Sequence, residues 1–157
     1  MAKHRNLAVI TREIYRKECQ KASHGAEKIS KHIEQTENLE KINHVLSEYE
    51  AHYSFDFSQS LWLPLLSDTP GNFYFLSLRS VNLFGIVDDG GTGNPIQTNF
   101  LYDQTTASKG SSEVISMLYL FLMKRNPLGA NRRVYFHADN CTAQNKNNAL
   151  IQFFVWC

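Results

Sequence analysis

The stretch HADNCTAQNKNN, residues 137–148, decides how the fold of this chain is interpreted. It overlaps the end of residues 133–139, which alternate as in a β-strand. One face has Val134, Phe136 and Ala138, and the other has Tyr135, His137 and Asp139. The predicted strand therefore ends on Asp139, directly before a loop that is crowded with amide side chains. An aspartate in this position caps the following turn or contributes to a functional site, and the amide-rich loop favours the site.

A second aspartate lies inside another predicted strand. Residues 52–57, HYSFDF, alternate between aromatic residues on one face and Ser54 and Asp56 on the other. An ionised carboxylate in the interior of a strand is costly unless it is paired or bound to a metal ion. We therefore interpret Asp56 as a site residue rather than as a structural one.

The elements between the two aspartates are a hairpin and a helix. Residues 73–87 and 96–102 are rich in β-forming residues, and the turn DDGGTGNP between them predicts an antiparallel hairpin. Residues 61–66, LWLPLL, are interpreted as loop and turn. Residues 111–126 predict a helix that is apolar on nearly every side and hence buried between layers, with Ser111 as its N-cap. A further helix is expected to begin at Ala149.

The first 50 residues differ in composition from the rest of the chain. They contain nine Lys or Arg, eight Glu and no Pro, which is typical of helix. Two apolar series with steps of three and four occur here, namely Tyr15, Cys19, Ala22, Ala26, Ile29 and Ile33, and then Leu39, Ile42, Leu46 and Tyr49. Because the series are out of register, the segment is a kinked helix, a helical hairpin or a short coiled-coil arm. We predict a helical arm at residues 1–50, able to self-associate, and a folded domain at residues 51–157.

Composition limits the classes of protein that fit. The chain of 157 residues is long enough for one domain with a hydrophobic core. Its formal net charge of +1 does not indicate a nucleic-acid-binding protein. Three cysteines without CxxC spacing, and no leading apolar signal segment, predict an intracellular protein without disulfides. The longest apolar run, residues 117–123, is far shorter than the roughly 20 residues of a membrane-spanning helix. We expect no membrane span.

Several motifs together resemble a known family. After the helical arm, the predicted elements follow the order of the ribonuclease H-like fold. This order is a strand with a central aspartate, two antiparallel strands, a helix, and a strand that ends in a second aspartate. The motifs are YSFDFSQ at 53–59, NLFGI at 82–86, KGSSEVIS at 109–116 and DNCTAQNKN at 139–147. In this order they resemble transposon-derived proteins of animals that carry an uncharacterised ribonuclease H-like transposase domain. Family members commonly have glycine before the Gln of the last motif, where this chain has Ala143.

The resemblance implies an α/β fold, a ribonuclease H-like mixed sheet preceded by a helical arm, with an acidic metal site. Its first and fourth strands would be parallel neighbours, which would bring Asp56 and Asp139 side by side. These aspartates would be the first two ligands of Mg²⁺ or Mn²⁺, since hard cations prefer carboxylate oxygens. Glu113, in the first turn of the predicted helix, would be the third metal ligand and catalytic acid. An acid in a first turn is also stabilised by the helix dipole without any metal, and this alternative stays open.

The loop after Asp139 is a candidate nucleic-acid contact. Gln144, Asn145, Lys146 and Asn147 offer hydrogen-bond donors and acceptors together with one positive charge for a phosphate backbone. Their alternative role is to bond their own backbone in a polar turn.

The resemblance also implies a function. It predicts divalent-metal-dependent cleavage or strand transfer at DNA phosphodiesters, a DNA partner, a nuclear location and no small-molecule substrate. The chain ends before the next expected strand, so we expect a C-terminally truncated domain, and both an active enzyme and an inactive product stay open. The alternative is a non-catalytic remnant that binds DNA or protein through the helical arm at residues 1–50.

Overall fold

A computed structural model describes residues 2–35, 49–64, 68, 71–72, 75–90, 96–125, 133–141 and 144–157. Within these ranges the chain is a mixed α/β protein of three helices and five strands. In chain order they are α1 (Ala2–Gln35), β1 (Ala51–Phe57), β2 (Leu61–Leu63), β3 (Arg79–Asp88), β4 (Ile96–Asp103), α2 (Ser111–Arg125), β5 (Val134–His137) and α3 (Asn148–Trp156).

The five strands form one mixed sheet. Strand β4 pairs with β3, β3 with β1, and β1 with β5. Strands β1 and β5 are parallel, and their paired residues run from Ala51 opposite Val134 to Ser54 opposite His137. The short strand β2 pairs antiparallel with the beginning of β3, where Leu61 lies opposite Val81. The parallel pairing of β1 and β5, which the resemblance implied, is therefore present.

The chain divides into two compact units. The first comprises Met1–Ser54, Ile86–Gln97 and Arg125–His137, and the second comprises Phe55–Gly85, Thr98–Lys124 and Ala138–Cys157. The predicted division into an arm at residues 1–50 and a domain at residues 51–157 stays a prediction.

Helix α1 packs within the first unit through one face of its apolar series. Ala22 and Ile29 are buried. A Cβ added to Gly90 would lie 2.8 Å from the Cβ of Ala22, so glycine allows the turn after β3 to approach the helix closely. The sequence left a kinked helix, a helical hairpin and a short coiled-coil arm open for residues 1–50. In the structure Ala2–Gln35 forms one continuous helix. Most of the second apolar series, at residues 36–48, lies outside the described residues.

The core of the second unit is aromatic and aliphatic. The ring of Phe84, which is fully buried, lies 5.7 Å from that of Phe55 and 4.9 Å from that of Phe57. Helix α2 contributes Val114 and Leu118, both 0% exposed, to the buried residues. Burial of these side chains stabilises the unit by roughly 1.5–3 kcal/mol each.

The expectation that α2 is buried between layers is wrong. Its buried residues, Val114, Met117, Leu118 and Phe121, recur at steps of three and four and therefore occupy one side of the helix. Leu120 and Met123 are 58% and 56% exposed. An apolar sequence made both sides suitable for burial, but only one packs against described residues.

Smaller differences concern the ends of elements. Strand β5 ends at His137, two residues before the predicted end, because the carboxylate of Asp139 organises the following loop instead of continuing the strand. Residues 61–63 pair with β3 as a strand, whereas the sequence predicted loop. Helix α2 begins at Ser111, so Gly110 rather than Ser111 is its N-cap, and the carbonyl of Gly110 accepts the first helical bond from Val114. None of the helices in the described ranges has the length and apolar character needed to cross a membrane.

Candidate functional sites

Asp56 and Asp139 lie at the same end of the parallel strand pair. Each is two residues beyond the last paired residues, Ser54 on β1 and His137 on β5. Asp56 is still within β1 and shares the face of Ser54, because positions two apart in a strand share a face, whereas Asp139 lies in the loop after β5. Both side chains are exposed, so Asp56 does not carry the cost of a buried carboxylate that the sequence suggested.

Local hydrogen bonds orient the two carboxylates. Asp139 Oδ1 accepts from the backbone N–H of Cys141 at 3.1 Å and from Nδ2 of Asn145 at 2.6 Å. Asp56 Oδ1 accepts from the backbone N–H of Phe57 at 2.8 Å. The described residues donate no hydrogen bond to the Oδ2 atom of either aspartate. The described residues therefore hold each carboxylate through one oxygen only.

Glu113 lies in the first turn of α2, as the sequence predicted. Its Oε2 accepts from the backbone N–H of Gly110 at 3.1 Å. This is the carboxylate half of a capping box, in which the third helical residue reaches back to the N-cap. The ligand atoms of Glu113, Asp56 and Asp139 do not form a group within 4.8 Å among the described residues. Its predicted role as third metal ligand stays a prediction.

The amide-rich loop makes several bonds within itself. The carbonyl of Cys141 accepts from the backbone N–H groups of Gln144, Asn145 and Lys146, at 3.3, 2.7 and 2.9 Å. The side chain of Asn147 caps α3, because its Oδ1 accepts from Leu150 N at 3.0 Å. Lys146 is exposed and has no ion pair with the described residues. Of the four predicted nucleic-acid contacts, Asn145 and Asn147 thus have structural bonds, and Lys146 is the accessible cation.

The side chain of Asn145 has one hydrogen-bonded end and one buried end without a partner among the described residues. With Nδ2 directed at the carboxylate of Asp139, its Oδ1 is buried and has no hydrogen-bond partner in the described structure. A buried acceptor without a partner costs about 1–3 kcal/mol. The loop accepts this cost while Asn145 orients Asp139.

A second group of polar side chains, which the sequence did not predict, lies in the first unit. We call it the Cys–His–Asp cluster: Cys19 on α1, His52 on β1 and Asp89 in the turn after β3. Among the described residues this is the group of three potential ligands whose atoms all lie within 4.8 Å of one another. His52 Nδ1 lies 2.9 Å from Asp89 Oδ2 and 3.8 Å from Cys19 Sγ.

Two hydroxyl groups surround the carboxylate of the cluster. Tyr15 donates to Asp89 Oδ1 at 3.1 Å, and Ser54 donates to Asp89 Oδ2. Burial raises the pKa of Tyr15 to about 12, with Asp89 acting in the same direction. Burial also raises the pKa of the Cys19 thiol. Within the cluster His52 is buried, and Cys19 and Asp89 are half-buried.

The geometry excludes a relay from Asp89 through His52 to Cys19. In a nucleophilic triad the acid holds one ring nitrogen while the other faces the nucleophile. Here Cys19 Sγ and Asp89 Oδ2 both approach Nδ1. A raised thiol pKa also opposes activation as a thiolate.

The sequence carried only weak signals for this cluster. Cys19 fell in an apolar helical series, His52 at the start of a strand and Asp89 in a turn, each with an ordinary explanation. The available clue was that His52 and Ser54 are both polar and lie on the same, non-aromatic face of residues 52–57. In the structure both of them contact Asp89.

Comparison with known proteins gave no relative. Neither a protein-family model, nor a curated protein, nor a solved structure matches this chain. The resemblance drawn from residues 53–147 stays a prediction.

Proposed function

We propose that this chain contains a ribonuclease H-like domain that binds Mg²⁺ or Mn²⁺ through Asp56 and Asp139 and acts on DNA phosphodiesters by cleavage or strand transfer. The observation that carries the proposal is the β1–β5 register. Because Ser54 lies opposite His137 on neighbouring parallel strands, Asp56 within β1 and Asp139 in the loop after β5 each lie two residues beyond that pair. A nuclear location and a DNA partner belong to the same proposal.

The strand neighbours support the finer assignment of the fold. The ribonuclease H-like arrangement requires an antiparallel hairpin beside the first strand and a parallel strand on its other side. Here β4 lies beside β3, β3 beside β1, and β1 beside β5. Helix α2 connects the hairpin to β5, as the fold requires.

The donor set fits a hard divalent cation. Mg²⁺ retains several waters and is commonly bound through one or two carboxylates together with substrate phosphate. Asp56 and Asp139 each have one oxygen that accepts no hydrogen bond from the described residues, and both are exposed. When bound, the metal would stabilise the charge that develops on the phosphoryl oxygens.

The chain's own residues would orient the reacting groups. Asn145 and the N–H of Cys141 hold Asp139 through Oδ1, and the described residues donate no hydrogen bond to its Oδ2. Lys146 provides an exposed positive charge for a phosphate of the DNA backbone. Asn147 holds the start of α3 and thereby the end of the loop that carries both residues.

The test is nicking of supercoiled DNA by the purified full chain with Mg²⁺ or Mn²⁺. We expect Asp56→Asn and Asp139→Asn each to abolish nicking, while Asp68→Asn, at an exposed aspartate, retains it. Mn²⁺ binding measured by electron paramagnetic resonance is expected to weaken in the first two variants and not in the third. A folded wild-type chain that neither binds Mn²⁺ nor nicks DNA contradicts the proposal.

The role of Glu113 has its own variant. Glu113→Gln retains a side-chain oxygen that accepts from Gly110 N and therefore preserves the cap, but it removes the charge. Loss of nicking at unchanged stability would assign Glu113 to the metal site. Unchanged nicking would restrict it to the cap.

A second candidate function is association through α1. Val9, Ile10 and Ile14 lie on this helix and are 52%, 52% and 56% exposed, which is high for branched apolar side chains. Light scattering of the full chain tests self-association. We expect Ile10→Glu with Ile14→Glu to shift a dimer to monomer, whereas Lys17→Glu on the same helix does not. A monomeric wild type over the micromolar range excludes self-association.

A further inference from the structure

We propose that Cys19, His52 and Asp89 bind one transition-metal ion of the Zn²⁺ class, at a site separate from Asp56 and Asp139. The three residues come from a helix, a strand and a turn. Cys19 and His52 are 33 residues apart in sequence, and His52 and Asp89 are 37 apart. Their ligand atoms nevertheless all lie within 4.8 Å of one another. Three different types of ligand from distant segments thus converge at one place, as a metal site requires.

The spacing suits a tetrahedral ion. With Zn–S, Zn–N and Zn–O bonds of about 2.3, 2.0 and 2.1 Å, ligand atoms of a tetrahedral site lie about 3.3–3.6 Å apart. The observed separations are 2.9 Å from His52 Nδ1 to Asp89 Oδ2 and 3.8 Å from His52 Nδ1 to Cys19 Sγ. Shifts of a few tenths of an ångström, within the rotamer freedom of Cys19 and Asp89, bring both into range.

Nδ1 of His52 faces both of the other ligand atoms. A ring nitrogen has either one hydrogen or one lone pair in the ring plane. Without a metal, a hydrogen on Nδ1 donated to Asp89 satisfies the ring, and the thiol of Cys19 pairs with the hydroxyl of Tyr15. With a cation present, Nδ1, Sγ and Oδ2 can all direct lone pairs at it.

The ligand types select the class of metal. A thiolate and an imidazole favour Zn²⁺ and Co²⁺ over Mg²⁺, which prefers oxygen ligands only. The hydroxyls of Tyr15 and Ser54 donate to Asp89 and would orient the carboxylate, as partners of metal ligands commonly do. Three protein ligands leave one position for water.

Metal binding would connect three segments of the first unit. Cys19 lies on α1, His52 on β1 and Asp89 in the turn where Gly90 approaches Ala22. A ligand that binds only the folded state stabilises it. We therefore expect Zn²⁺ to raise the melting temperature of the chain.

The test is titration of the chelator-treated full chain with Co²⁺. We expect one equivalent to produce tetrahedral ligand-field bands together with a thiolate-to-cobalt charge-transfer band, both displaced by Zn²⁺. Cys19→Ala is expected to remove the charge-transfer band and weaken binding at least about tenfold. Cys157→Ala, at an exposed cysteine, serves as the matched control and is expected to leave both unchanged.

Further variants separate this site from the proposed nuclease site. Asp56→Asn with Asp139→Asn is expected to retain the thiolate band, so failure of one proposal does not entail failure of the other. Asp89→Asn is expected to weaken Co²⁺ binding, with circular dichroism to verify folding. Absence of stoichiometric Co²⁺ binding by folded wild type overturns the proposal. A thiolate band that persists in Cys19→Ala and disappears in Cys157→Ala also overturns it.

Discussion

The hydroxyl of Tyr15 on α1 donates a hydrogen bond to Oδ1 of Asp89, 3.1 Å away, although 74 residues separate them in sequence. The same hydroxyl lies 3.3 Å from Oγ of Ser54, and its ring lies 4.8 Å from that of His137. One side chain of the helix thus contacts β1, β5 and the turn after β3. Tyr15 therefore joins α1 to several elements of the first unit, in addition to the buried contacts of Ala22 and Ile29.

Replacement of Tyr15 by Phe is expected to lower the free energy of unfolding by about 1–3 kcal/mol, because it removes a donor to a charged, partly buried acceptor. Urea denaturation measures the change. Tyr119→Phe is the control, since Tyr119 is 41% exposed. Equal effects of the two substitutions would contradict the importance of the Tyr15 bond.

Replacement of Gly90 by Ala is expected to destabilise the chain by about 1–3 kcal/mol, because the new Cβ would lie 2.8 Å from that of Ala22. Thermal or urea denaturation measures this. Gly71→Ala is the matched control, since no heavy atom lies within 4 Å of a Cβ there. If both variants unfold at the wild-type midpoint, the close approach of helix and turn is wrong.

Replacement of Asn147 by Ala is expected to cost about 1 kcal/mol, because it removes the oxygen that accepts from Leu150 N at the start of α3. Asn147→Asp retains an acceptor and should restore most of the loss. Asn148→Ala, one position later and exposed, is the control. Urea midpoints that do not separate Asn147→Ala from Asn148→Ala would argue against the cap.

Acid pH is expected to reduce the contribution of Asp103 to the stability of the folded chain. The pKa of this carboxyl is lowered, first by the backbone N–H of Thr105 and also by Arg79. A folded-state pKa below that of the unfolded chain means that the stabilisation is present above the unfolded pKa and is lost as pH falls through the folded pKa. The unfolding midpoint of Asp103→Asn should therefore lie below that of wild type at pH 7.

The same difference should begin to shrink as the pH falls below about 4, where this carboxyl is protonated in the unfolded chain, and should be lost as the pH falls through the lower pKa of the folded state. Urea denaturation at a series of pH values measures it. Asp68→Asn, at an exposed aspartate, should show no comparable trend. A wild-type advantage that stays constant down to the lowest pH would contradict the shift in pKa.

Replacement of Lys146 by Gln is expected to weaken binding of the full chain to duplex DNA regardless of sequence. It should reduce the slope of log affinity against log salt by about one, as loss of one phosphate contact does. Lys124→Gln, at an exposed lysine of α2, is the control. Fluorescence anisotropy over a range of salt concentrations measures both, and identical slopes would remove Lys146 from the interface.

Much of the local structure followed from periodicity in the sequence. Alternation at residues 52–57 predicted β1, and the apolar run after Ser111 predicted α2, because both signals depend on near neighbours in the chain. The candidate acids Asp56 and Asp139 were found for the same reason, since each interrupts or ends a strand. That Leu61–Leu63 pairs with β3 was missed, because three residues carry too short a pattern.

The sequence by itself determined most of the helices and strands, and it singled out Asp56 within one predicted strand and Asp139 at the end of another. Only the tertiary structure decided that those strands are parallel neighbours with Ser54 opposite His137, and that Cys19, His52 and Asp89 converge. It also decided that α2 buries one side and exposes the other. The physical reason is that backbone propensity and periodicity act over a few residues, whereas pairing and burial depend on which distant surfaces exclude water together.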